Sequence, residues 1–262
     1  MEGIDLLVNS VNLKTNPERV PDAQADAGSA GNGPVSARRR LGVAERERQI
    51  IDGAVRFFAE HGLAGQLRDL AKSAGFTHAL LYHYFPTKQA LIDRVYEELF
   101  EACWHSGWDA LLDDRSVTVE DKFTAFYDDY VNRTLSREFT RIFVFSGLTD
   151  HTITDRFFAM LRVRLFPRLI RETRRHRGSI SRAKASAREH ELLAGLHGGF
   201  FYIAMRRWIY GQAITSEAAP GRYDEALVRD RVRGYLAASV ELFADSTPKR
   251  RSIARPTGRS RP

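Results

Sequence analysis

The chain has 262 residues, 43% of them hydrophobic and 28% charged, with a formal net charge of +7 and one cysteine, Cys103. That length buries a core without disulfide staples, and a lone cysteine excludes an internal disulfide and any zinc site built on thiol pairs. No stretch approaches the ~18 apolar residues of a membrane span and no secretory signal opens the chain, so the expectation is a soluble, cytoplasmic protein with no membrane partner.

Residues 1–43 read as a disordered N-terminal extension, rich in Ala, Asp, Gly and Pro, that ends in a basic arm of Arg38, Arg39 and Arg40. The arm could reach into a minor groove, or be a solvated basic run. From Glu45 to His61 the residues Ile50, Ile51, Ala54, Phe57 and Phe58 recur at three- and four-residue steps, which predicts an amphipathic helix stopped by Gly62. A second helix, Gln66 to Ser73, buries Leu67, Leu70 and Ala71 and exposes Arg68, Asp69 and Lys72. Gly75 suits the positive φ of a tight turn, and Thr77 is placed to cap a third helix that reaches about Tyr84.

Two short helices about a central Gly make a helix-turn-helix, whose second helix enters a major groove. In "THALLYHYF", Leu81 and Phe85 lie a turn apart and can pack with Phe76 on the first helix. His78 and Tyr82 share the opposite stripe, with Ala79 and His83 beside them, where hydroxyl and imidazole groups could reach phosphates or base edges. Pro86 ends the helix, and Thr87 caps a fourth whose first turn carries Lys88, unfavourable for the helix dipole but suited to a phosphate.

Residues 48–95 resemble the DNA-binding region of the TetR family of transcriptional regulators in the "FFAEHG" of the first helix, "RDLA" and "AG" of the second helix and turn, "LYHYF" and "TKQAL". The resemblance implies an all-α fold: an N-terminal three-helix HTH DNA-binding domain (44–90) joined by a long fourth helix to a helical ligand-binding and dimerisation domain (91–245). It also implies DNA contacts from Thr77, His78, Ala79, Tyr82, His83 and Lys88, with Gln66 and Arg68 beside them. One departure stands out: Gly65 and Gln66 occupy the place of the family's usual Thr pair. The Gln66 amide or backbone N–H groups could serve there instead.

The fourth helix is expected to run through Leu91, Val95 and Leu99, with Trp104 and Trp108 a turn apart near its end. Further helices hold Phe123 to Tyr130, then Phe139 to Phe145, then a long basic one from Phe157 to Phe166, bent at Pro167. So many aromatics could line a pocket for an apolar or aromatic effector or simply fill a core; Trp104, Trp108, Phe126, Tyr130 and Phe143 are the lining candidates. The arginines from Arg162 to Arg177 could bind an anion or form a solvated face.

Two later helices look built to pair as a four-helix homodimer interface: Leu192, Gly195, Leu196, Gly199 and Ile203 on one, Val228, Val232, Leu236 and Val240 on the other. The alternative is packing within one chain. Residues 246–262 hold six Lys or Arg and no acid, a basic disordered tail that accounts for most of the net charge.

Nothing points to catalysis: there is no GxSxG, P-loop or HExxH, and no His has an acid three positions before it. Glu101 with His105 and Glu172 with His176 are i, i+4 pairs of the kind common on helix surfaces. No cofactor and no metal is implied. The resulting expectation is a ligand-responsive repressor that binds a palindromic operator in double-stranded DNA as a dimer. The alternative is a dimeric small-molecule-binding or interaction protein that has lost specific DNA recognition.

Overall fold

Helix α1 (Val43–His61) buries the expected stripe, with Ile50, Ala54 and Phe58 fully inaccessible. It ends because Gly62 turns away at φ +73°, a conformation an L side chain resists. The computed structural model describes residues 42–244 apart from 103, 105, 215, 216 and 220. The N-terminal extension, the arginine arm and the basic tail therefore lie outside the described residues.

Helices α2 (Leu67–Ser73) and α3 (His78–Tyr84) follow, joined by a turn in which Gly75 has φ +73° and Phe76 N–H donates to Ala71 O at 2.8 Å. Thr77 caps α3 by accepting from Leu80 N–H at 3.2 Å, and Thr87 caps α4 (Lys88–Tyr96) by accepting from Ala90 N–H at 3.0 Å.

The fourth helix and its direct continuation carry Leu91, Val95 and Leu99 as expected but end short of Trp104 and Trp108. After Tyr96 the chain takes a wide, π-type turn over Glu97–Glu101, and α5 (Ser106–Asp113) starts anew, so Trp104 and Trp108 do not share one helix. A wide turn inserts a residue into the 3.6 repeat and rotates the apolar face, which a periodicity count passes over. Each indole N–H finds a carboxylate beyond the bend, Trp104 on Asp109 at 3.0 Å and Trp108 on Asp129 at 2.9 Å.

The same device recurs twice. Helix α6 (Val119–Asp129) widens over Tyr130–Thr134 before α7 (Arg137–Gly147). Helix α8 (Thr152–Met160) widens over Leu161–Leu165 before α9 (Phe166–His176). Pro167, in the first turn of α9, has no N–H to donate, and the wide turn before it accommodates that loss where the sequence suggested only a bend.

Helix α10 (Ala187–Trp208) starts with a reciprocal cap between Ser186 and Glu189, and α11 (Glu225–Leu242) starts at Asp224, which accepts from Ala226 N–H at 2.8 Å. Between them a two-stranded antiparallel hairpin, β1 (Glu217–Ala219) and β2 (Arg222–Tyr223), is the one departure from an all-α fold among the described residues. None of the described helices is long and apolar enough to cross a membrane.

One hydrophobic core runs from Ile50 of α1 to Leu236 of α11, and the expected division at residue 90 falls inside α4. Two polar ties cross from α1 to α7: Arg137 pairs with Glu60, and Arg141 Nε donates to Ala59 O at 2.5 Å. A third joins α4 to α8, where Arg156 donates to Asp93 at 2.7 Å and lies 3.8 Å over the Tyr96 ring.

Lys122 of α6 is wholly buried, its ammonium donating to Glu172 of α9 at 2.8 Å and to Leu112 O at 2.9 Å. Glu172 is thereby committed to an ion pair, not to a site with His176. Removing one partner of such a pair strands the other charge in the core. Glu172→Ala should cost about 3–5 kcal/mol in urea unfolding, well beyond what its share of surface contacts would give.

Candidate functional site

Helix α3 is divided by the packing of its two faces. Leu81 is fully buried and Phe85 nearly so, with Phe76 packed against the same core. Thr77, His78, Ala79, Tyr82 and His83 are all exposed, and the rings of His78 and Tyr82 meet edge to face at 4.7 Å. The α2 residues Arg68 and Lys72 are exposed on the neighbouring helix, and Lys88 is half-buried at the start of α4, whose first turn has no acid. Lys72 was not among the sequence candidates; its position four residues after Arg68 is the signal that could have found it.

Thr77 Oγ1 already accepts a backbone N–H, which leaves its hydroxyl hydrogen to donate to an external oxygen. The Gln66 side chain is exposed and makes no cap hydrogen bond, although its backbone occupies the N-cap of α2. Gly65 has a packing cause: a Cβ there would stand 2.5 Å from Cε1 of the buried Phe57. A hydroxyl-bearing residue cannot occupy that position unless Phe57 moves, and the Phe57 ring is itself stacked on His61 at 4.5 Å.

A second site lies between α8, α9 and α10. An apolar cavity of about 310 Å³ is lined by Phe157 and Phe158 of α8, Leu161, Phe166 and, on α10, Ala194, His197, Gly198 and Phe201. Of the five lining candidates, Tyr130 and Phe143 are in its wall. Trp104, Trp108 and Phe126 are not: Trp104 and Trp108 anchor to Asp109 and Asp129, and Phe126 packs edge to face on Trp108 at 4.7 Å within the core. Aromatic periodicity marks inward-facing residues; it does not tell a filled layer from a hollow one.

His197 is the titratable group of the cavity wall. Its Nε2 pairs with the Tyr130 hydroxyl at 3.1 Å, its Nδ1 is buried with no partner, and burial pushes its pKa down to about 4. The imidazole is therefore neutral at pH 7, and the wall carries no charge. Nearby, Glu189 is held far below the usual carboxylate range by hydrogen bonds from Arg174, the Ser186 backbone and Arg177, which fixes the start of α10.

Of the expected dimer residues, Leu196, Ile203, Val228, Val232 and Leu236 are buried in the core of their own chain, so a partner cannot reach them. The stripe that periodicity found is the inner face of each helix. Gly195 and Val240 are exposed, Leu192 and Gly199 half-exposed, and Gly198, Tyr202, Gly234 and Ala237 extend that outer surface.

Residues 50–95, from the core of α1 to α4, match the model of the bacterial regulatory proteins of the tetR family. Over those residues the chain is similar to the TetR family. The chain is 36% identical over 63 residues to the HTH-type transcriptional repressor KstR2 of Rhodococcus jostii (strain RHA1), a match covering 24% of the chain and 31% of that repressor. Its identity to KstR2 of Mycolicibacterium smegmatis is 29% over 85 residues, covering 32% and 40%. The matches thus span well under half the length of these relatives.

Similarity of fold extends further. A TetR-like transcriptional regulator from Rhodococcus sp. RHA1 superposes with a TM-score of 0.57 at 16% identity, over 77% of this chain and 99% of that one. The fatty acid degradation regulator FadR from Bacillus halodurans gives 0.54 at 18% identity, over 76% and 97%. At such identities the shared property is the fold.

The neutral His197 has a consequence for stability. Between its ordinary pKa near 6.5 and about 4, the unfolded chain binds a proton that the folded chain refuses. Stability is therefore full above pH 6.5 and falls as pH drops, by roughly 2 kcal/mol at pH 5 from this group. Paired denaturation curves at pH 7 and pH 5 should show that loss in the native protein and not in His197→Leu.

Proposed function

We propose that this protein is a DNA-binding transcriptional regulator, a repressor that docks as a homodimer on a palindromic operator and is released by an effector held in the α8–α10 cavity. The observation that carries the reading is the exposed row Thr77, His78, Ala79, Tyr82 and His83 on a helix whose other face is locked into the core, with Lys88 beside it. The row carries donors, acceptors and one small residue, so it can approach base edges, while Arg68, Lys72 and Lys88 meet phosphates.

One such unit reads a half-site. Two-fold pairing through the outer surface of α10 and α11 would set two recognition helices one or more helical turns of DNA apart. Small Gly195, Gly198, Gly234 and Ala237 allow close helix approach there, and Tyr202 and Val240 supply apolar area. Effector and DNA would communicate through α7, which carries Phe143 in the cavity wall and Arg137 and Arg141 on α1. A ligand acts on DNA affinity only through its preference for one of two α7–α1 arrangements.

Selection of bound duplexes from a random pool, followed by titration at two salt concentrations, tests the reading. A palindromic consensus bound ~10³-fold above non-specific DNA is expected. Sequence-blind binding abolished by modest salt would support the alternative of a small-molecule-binding or interaction protein. Lys88→Ala should weaken all duplexes alike and lower the salt slope by about 1, whereas Tyr82→Phe should weaken the consensus by several-fold, on the order of one lost hydrogen bond. Arg141→Ala should leave both operator and effector binding within a few-fold but shrink the effect of one on the other, read as the ratio of operator affinities with and without effector.

A further inference from the structure

A second cleft, of about 450 Å³, lies on the same two helices as the cavity. Its walls include Arg162, Pro167, Ile170, Arg171 and Arg174 from the α8–α9 side, and His190 with residues 181–185 from the start of α10. The two spaces follow one line. Along α9, Phe166 in the cavity wall is followed at four-residue steps by Ile170 and Arg174 in the cleft, and Arg162 reaches the cleft from the wide turn before it. Along α10, cavity residue Ala194 lies four residues after cleft residue His190.

The two helices run antiparallel, since Arg174 late in α9 pairs with Glu189 early in α10 at 2.6 Å, while Phe166 at the start of α9 meets His197 further along α10 at 5.7 Å. What divides cavity from cleft is the Phe166 ring, 5.7 Å from His197 on the cavity side and 6.5 Å from His190 on the cleft side. The two ends differ in chemistry. The cavity wall is uncharged, whereas the cleft carries Arg162, Arg182 and Lys184, all exposed and without an acidic partner among the described residues, beside Arg171 held by Asp113 and Arg174 held by Glu189.

We infer that the effector is a soluble amphiphile, its apolar body in the cavity and a phosphate-bearing or otherwise multiply anionic head in the cleft, passing the Phe166 ring between them. An apolar body alone leaves the Arg162, Arg182 and Lys184 cations of the cleft without an anion, and a free anion alone leaves the cavity empty; one amphiphile satisfies both. The inference rests on the proposed effector cavity but not on DNA recognition.

Calorimetry on the DNA-free full chain, with decyl phosphate, decanol and inorganic phosphate as probes, tests it. Decyl phosphate should bind at least tenfold tighter than decanol, and inorganic phosphate only weakly. The exposed pair Arg162→Ala and Arg182→Ala should bring decyl phosphate down to the level of decanol and leave decanol unchanged, while Ala194→Trp, which fills the cavity, should abolish both. Equal affinity for decanol and decyl phosphate overturns the inference, as does decyl phosphate binding that survives Ala194→Trp or absence of binding by either. Sedimentation with phosphatidylglycerol vesicles that Ala194→Trp does not reduce would assign the cations to a membrane surface and likewise overturn it. Because no DNA is present, failure here leaves the operator experiment untouched, and failure there leaves this one.

Discussion

The Phe100 ring is the contact on which the arrangement of the two ends depends. It is fully buried on the wide turn that prolongs α4, stacked on Tyr96 at 5.4 Å, and it meets Phe139 at 4.4 Å and Phe157 at 5.8 Å. Those partners belong to α7 and α8, so one side chain joins the helix that begins with Lys88 to the two helices that wall the cavity. Phe143 and Phe157 continue the cluster into the cavity itself, 5.5 Å apart. The cavity and α3 thus border a single core. Close-packed interiors transmit displacement, because they have few voids in which to absorb it.

Polar contacts give this apolar continuity its direction. Arg137 and Arg141 fasten the end of α1 to α7, and Arg156 fastens α4 to α8. The first two pairs sit on the same helix as Phe143, and the third on the same helix as Phe157 and Phe158. A change in the cavity therefore has two routes to the helix-turn-helix, one through each neighbour. The buried Lys122–Glu172 pair fastens α6 to α9.

Glycine explains the main departure from the family pattern. At residue 65 the ring of Phe57 occupies the volume a side chain would need, so the loss of a hydroxyl there follows from the packing of α1. Gln66, next to it, projects an uncommitted amide. Thr77, His78, Ala79, Tyr82 and His83 remain exposed beside it.

Much of the helix-turn-helix was legible in the sequence because its signals are local. Caps at Thr77 and Thr87, the turn at Gly75 and the division of "HALLYHY" into two faces all depend on residues within one or two turns of each other. The same reasoning misplaced the continuation of α4, because a wide turn shifts the helical repeat without leaving a residue signature. It placed Tyr130 and Phe143 in the cavity but not Phe157, Phe158 or His197, since a hollow is defined by what three separate helices leave unfilled. It also assigned the inner stripes of α10 and α11 to a partner: periodicity identifies a face that must be covered, and only the packed chain decides whether its own helices cover it. Sequence by itself determined the helices, the turn and the displayed face of α3; tertiary structure decided where the cavity lies, which cations stand beside it and which small residues remain outside, because each depends on contacts between residues far apart in the chain.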